Sequence, residues 1–155
     1  MAVPAVKAEK AYEKHAWILL FALGMVALAY GIYFLVVGIP PDAQLVKKIT
    51  GITWNELVAS EPGATAFLRT ETFRVLGLTL IGLGIFGMAV ASIPFRRGEK
   101  WAWYVSLYIP VYFAAFVANN LTLGGSFWQM LVAFLIISLL GLLLPYKKFF
   151  PRKQA

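Results

Sequence analysis

From Trp101 to Tyr146 the chain runs for 46 residues without one Asp, Glu, Lys, Arg or His. Its apolar character is broken only by a small polar run, Asn119-Asn120-Leu121-Thr122-Leu123-Gly124-Gly125-Ser126. Two further charge-free apolar runs precede it, Ala16–Ile39 and Val75–Phe95. A helix crosses the hydrocarbon core of a bilayer in about 20 residues. The long run therefore holds two spans and each of the others holds one. Lipid offers no hydrogen bonds to an open backbone, so each such segment has to satisfy its own peptide groups as a helix. The expected fold is an all-α membrane protein, a four-transmembrane-helix bundle. Its spans are expected at about 16–39, 66–95, 101–118 and 126–146, with short amphipathic helices in an outer segment, 40–65.

The remaining composition fits that class. Of 155 residues, 61% are hydrophobic, and the mean hydropathy is +0.76. Four spans leave no room for a separate soluble catalytic domain, so a single membrane domain is expected over 1–155. The chain has no cysteine, which excludes disulfides, thiolate nucleophiles, Cys-ligated zinc and iron–sulfur clusters. The apolar runs also carry none of the ionisable side chains that mark ion pathways and proton relays in membrane proteins.

Charge placement sets the expected topology. Lys7, Lys10 and Lys14 precede span 1, Arg96, Arg97 and Lys100 join spans 2 and 3, and Lys147, Lys148, Arg152 and Lys153 follow span 4. With four spans these segments share one side, which holds ten of the 14 basic residues; Lys47, Lys48, Arg69 and Arg74 lie on the other. The positive-inside rule then expects a multi-pass protein of the cell membrane with both termini in the cytoplasm. Topology and anionic headgroups account for the net charge of +7, and no nucleic-acid partner is expected. The first apolar run is longer than a signal-peptide core and no A-x-A site comes after it, so it reads as an uncleaved anchor.

Local signals divide the rest. Residues 5–15 suit a helix leading into span 1, with His15 at the membrane boundary. Pro40-Pro41 closes span 1, Asp42 can cap a helix to about Thr50, and Gly51 stops it. Thr53-Trp54-Asn55-Glu56 has capping-box spacing and opens a second short helix, which Pro62-Gly63 ends.

Gly82-Leu83-Gly84-Ile85-Phe86-Gly87 matches G-x-G-x-x-G, but a dinucleotide site needs a strand before it and a helix opening at it. Here the glycines lie inside a span and read as packing. Gly77, Gly84 and Ala91 recur every seven residues with Gly87 beside them, and Gly24 and Gly31 repeat at the same spacing in span 1. Spans 1 and 2 are expected to pack through these small faces. Counted at helical spacing, Arg74 falls on the same face and is expected to turn inward, paired with Glu71. Tyr30, Tyr33, Asn119, Asn120 and Gln129 are expected at a similar depth. The result would be a polar cluster that either clamps the outer helix ends or binds an anion or carbonyl.

Tyr104, Tyr108 and Tyr112 form an i, i+4, i+8 stripe on span 3, with a kink expected at Pro110. The stripe could line a pigment, quinone or lipid groove, or simply pack. Asn120-Leu121-Thr122 is a glycosylation sequon in a loop too close to the membrane to be used. One histidine and no intramembrane carboxylates make no metal site, and no cofactor is expected.

The stretch Thr50-Gly51-Ile52-Thr53-Trp54-Asn55-Glu56-Leu57, then Pro62, Arg74 and Gly77, then Phe95-Arg96-Arg97-Gly98-Glu99-Lys100-Trp101-Ala102-Trp103, resembles a group of small four-span prokaryotic membrane proteins. The resemblance covers residues 50–103 and implies topology without implying an activity. The leading functional expectation is a non-catalytic accessory or structural subunit, packed against larger membrane partners or copies of itself. The alternatives are a small-molecule or lipid binding or transport protein, or a lipid-acting membrane enzyme, working at the cluster around Arg74.

Overall fold

The computed structural model describes residues 11–37 and 43–151. Among these the fold is all helical, and four helices are long and apolar enough to cross a membrane. Span 1 is Tyr12–Val36, span 2 Pro62–Phe95, span 3 Lys100–Leu123 and span 4 Trp128–Phe149. The Pro40-Pro41 stop, the Asp42 cap and residues 5–10 lie outside the described residues. The end of the bundle that carries Lys14, the 96–100 link and Lys147-Lys148 is the basic end.

Spans 1 and 2 form the tightest pair. They run antiparallel, and the seven-residue glycine spacing on each brings two reciprocal contacts into register. A methyl carbon on Gly84 would lie 2.7 Å from the Gly24 carbonyl oxygen, and one on Gly31 would lie 2.7 Å from the Gly77 carbonyl oxygen. No side chain fits there, so the backbones touch. Spans 3 and 4 form the second pair. Span 4 reaches span 1 where Gly141 receives Leu20, whose Cδ2 would stand 2.9 Å from a methyl on that glycine. Spans 2 and 3, though consecutive, pack closely only at the basic end.

That end holds the core. Leu20, Leu23, Val90, Ala91, Phe95, Ala102, Leu142 and Phe149 are buried together. The Phe95 and Phe149 rings pack at a tilt of 50° with centroids 4.7 Å apart, and Trp103 Nε1 donates to the Leu142 carbonyl at 3.1 Å. Lys148 Nζ donates to the Arg96 carbonyl at 2.9 Å, tying the C-terminal turn to the 96–100 link. Pro94 sits in a π-helical turn, Ala91–Phe95, whose wider backbone accommodates a ring and a missing N–H that a regular turn would not.

At the opposite end, Ala43–Thr50 and Trp54–Ser60 are the two short helices of the outer segment. Lys48 lies over Gly124, the left-handed residue (φ 72°) that ends span 3. Span 3 therefore continues past Ala118, and Asn119 and Asn120 lie in its last turns rather than in a loop. The helix Trp54–Ser60 starts on a full capping box: the Thr53 N–H and hydroxyl donate to Glu56 Oε2 at 2.6 and 2.8 Å, and the Glu56 N–H donates to Thr53 Oγ1. The Thr53 N–H, then the Thr53 hydroxyl, and less strongly Lys47 hold the Glu56 carboxyl below its ordinary pKa.

The packing of span 2 predicts opposite effects at two of its glycines. Gly84→Ala places a methyl against the span 1 backbone and is expected to destabilise by roughly 1–3 kcal/mol. Gly82→Ala, on the open face of the same helix, is expected to stabilise by about 0.5–1 kcal/mol. Thermal melts in mild detergent separate the two signs. The capping box carries a pH dependence. Because the folded-state pKa of Glu56 is depressed, its contribution is complete above the unfolded value and is lost as pH falls through the folded one. Amide protection across 54–60, corrected for the intrinsic exchange rate, is expected to fall as the pH drops below the ordinary carboxylate range, and Glu56→Gln is expected to remove that fall.

Candidate functional site: an apolar cavity between the two helix pairs

The glycine seam holds span 2 against span 1, and the aromatic core holds span 3 against span 4 and the basic end. Away from that end a gap lies between the two pairs, crossed by the Tyr30 hydroxyl on Met130 Sδ. The space between them is a cavity of about 340 Å³ to which all four spans contribute. Span 1 lines it from Leu20 to Phe34, a rise of about 21 Å at 1.5 Å per residue. Span 2 presents Leu80, Leu83, Phe86, Gly87 and Val90, and span 4 presents Met130, Leu131 and Phe134. Span 3 gives an aromatic-rich wall, from Val105 to Phe116. No lining residue is charged.

On that wall, Tyr112 stacks on Phe116 at 4.6 Å and on Tyr108 at 5.7 Å, and Phe113 meets Phe134 at 5.5 Å. The tyrosine stripe read from the sequence divides here. The helix is interrupted at Leu107, four residues after Trp103 and three before Pro110. Tyr104, on the near side of that break, faces Phe150 and Trp103. Tyr108 and Tyr112, on the far side, line the cavity. Phe86 and Tyr108 line it while remaining 57% and 53% exposed. They mark a sideways opening between spans 2 and 3.

The polar residues are less concentrated than their positions in the sequence imply. Arg74 and Glu71 are both exposed, and no ion pair joins them among the described residues. Two features explain this. Gly77 packs against Phe34 and Leu35, and one turn before it Phe73, not Arg74, meets Phe34, with ring centroids 6.3 Å apart. A π-helical turn, Leu68–Thr72, also shifts Glu71 out of α-helical register with Arg74. Tyr30 donates to Met130 Sδ at 3.7 Å and lines the cavity, whereas Tyr33 is exposed beside Phe34. Asn119 and Gln129 are exposed. Asn120 lies under Gly125, and its Oδ1 is buried without a hydrogen-bond partner. None of these residues hydrogen-bonds to another of the group among the described residues.

The small residues fall on two surfaces. Gly24, Gly31, Gly77 and Gly84 form the seam, and Ala91 is buried in the core. Gly87 is off the seam: a methyl there would meet nothing within 4 Å, and the residue lines the cavity. Ser106, Phe113 and Phe134 carry the cavity without having stood out in the sequence. One signal pointed to the first of them. Pro110 lies four residues beyond Ser106, so the Ser106 carbonyl lacks its helical donor.

Arg74 and Glu71 face outward, so Arg74→Gln and Glu71→Gln are each expected to change stability by less than about 0.5 kcal/mol and to combine additively. A double-mutant cycle of melting measurements checks this. No protein-family profile matches the chain, and no curated protein or solved structure shows a significant similarity to it.

Proposed function

We propose that this small integral membrane protein holds a hydrophobic molecule of the lipid class in the cavity between its two helix pairs. The observation that carries the reading is the cavity itself, about 340 Å³ with walls from all four spans and no charged residue. Protein interiors are close-packed, and a void of this size leaves the side chains around it without dispersion partners. A hydrocarbon occupant restores those contacts, and the volume is that of a small-ligand site. The opening at Phe86 and Tyr108 gives such a molecule a path from the bilayer. The lining offers no carboxylate, imidazole, amine or thiol, which favours binding over chemistry.

The seam bears on the accessory-subunit expectation. Gly24, Gly31, Gly77 and Gly84 are occupied within the chain, so they present no small-residue face to a partner helix. The dispersed surroundings of Arg74 likewise favour the cavity over an anion site. The split of ten basic residues against four supports a cell-membrane protein with both termini in the cytoplasm.

The test is to purify the protein in mild detergent and quantify the co-purifying lipids by mass spectrometry. About one equivalent of a neutral lipid, enriched over the bulk membrane, is expected. Gly87→Leu, which projects a side chain into open space at the cavity wall, is expected to lose it. Lipid of bulk composition, unchanged in the variant, would overturn the reading. A stoichiometric protein partner in its place would favour the subunit.

A further inference from the structure

We infer that the occupant is an uncharged amphiphile, a long hydrocarbon bearing a hydroxyl or carbonyl, and that Ser106 holds its polar group. The inference rests on the cavity reading above and deepens it. Ser106 is 4% exposed and lines the cavity, yet its hydroxyl has no hydrogen-bond partner among the described residues. The hydroxyl is not sealed off by protein either: of the buried side-chain oxygens and nitrogens, the one left enclosed without a partner is Asn120 Oδ1. The Ser106 hydroxyl therefore looks into the cavity.

Serines inside membrane helices ordinarily satisfy themselves on the carbonyl three or four residues back. Ser138 does so, donating to the Leu135 carbonyl at 2.7 Å. Ser106 does not. Its own carbonyl, moreover, receives no helical hydrogen bond from position 110, because Pro110 has no N–H. A donor and an under-used acceptor thus coincide at one point on an apolar wall. In a medium without water such groups are stabilised by a partner brought in by the ligand.

The position suits an amphiphile. Ser106 lies six residues from Lys100 at the basic end, about 9 Å along the helix. From Ser106 the aromatic wall runs on to Phe116, about 15 Å, half of a hydrocarbon core of about 30 Å. A polar group at Ser106 therefore has room for a chain one leaflet long over Tyr112 and Phe116. The lack of any charged lining residue selects against a carboxylate or phosphate at the same place, because a buried unpaired charge is costly.

The experiment uses the full chain in lipid nanodiscs with a diazirine-bearing hexadecanol as photoprobe. Its carboxylic-acid counterpart and a diazirine alkane serve as comparisons. Wild-type protein is expected to be labelled saturably by the alcohol on peptides from spans 2 and 3, with unlabelled hexadecanol competing. Ser106→Ala, which removes one oxygen and no packing, is expected to weaken the alcohol roughly fivefold and leave the alkane unchanged. The acid at neutral pH is expected to bind at least about tenfold more weakly than the alcohol. Gly87→Leu is expected to abolish saturable labelling by every probe. If Gly87→Leu blocks labelling while Ser106→Ala binds the alcohol like wild type, the Ser106 anchor falls and the cavity reading stands. Equal binding of acid and alcohol overturns the uncharged head. Labelling that Gly87→Leu does not change overturns both readings.

Discussion

Backbone contact between spans 1 and 2 is the constraint on which the rest of the bundle depends. In lipid, apolar side chains gain nothing by leaving the solvent, so association has to come from close packing and from polar groups that find partners. Four glycines in register supply the first. They bring the Gly24 and Gly84 backbones, and the Gly31 and Gly77 backbones, to a separation that no side chain could share. Once those helices are joined so closely, spans 3 and 4 have to pack as a second pair with its own aromatic contacts.

Two pairs can meet fully only if their surfaces match along their whole length, and here they match at one end. Phe95, Phe149, Trp103 and Leu142 fill the basic end, with the Lys148–Arg96 hydrogen bond closing it. Beyond Leu20 and Val90 the cavity lies between the pairs, bridged by the Tyr30 hydroxyl on Met130 Sδ, and Gly87 presents no side chain to fill the gap. The same residue type thus has opposite consequences on one helix. Gly84 removes bulk so that a neighbour can enter, whereas Gly87 removes bulk where no neighbour arrives.

The chemistry of the cavity derives from the solvent around it. Groups that need water are absent from its walls, and charged residues of the chain are drawn to the ends, where Glu56 is held by a capping box and Lys48 reaches over Gly124. What remains at mid-membrane are hydroxyls. Several satisfy themselves on their own helix, as Ser138 and Thr79 do. Ser106 stands apart: its hydroxyl makes no such bond among the described residues, and its own carbonyl gets no donor from Pro110.

The sequence alone determined the class and the seam. Charge-free runs of bilayer length dictate four helical spans, because an unpaired backbone cannot cross hydrocarbon. The seven-residue glycine spacing on two runs dictates which faces can touch, because only there can backbones approach. The capping box at Thr53 and Glu56 is equally local and equally legible. The tertiary structure decided what depends on where helices end and how they tilt. Arg74 faces outward, since Phe73 takes the contact on Phe34 and a π-helical turn displaces Glu71. Neither fact is written in residue spacing. The tyrosine stripe was visible, but its division at Leu107 was not, since it depends on what each face of span 3 meets, Phe150 beside Tyr104 and the cavity beside Tyr108 and Tyr112. The cavity is the least local feature. It is the mismatch between two helix pairs, and no single run of residues encodes a mismatch.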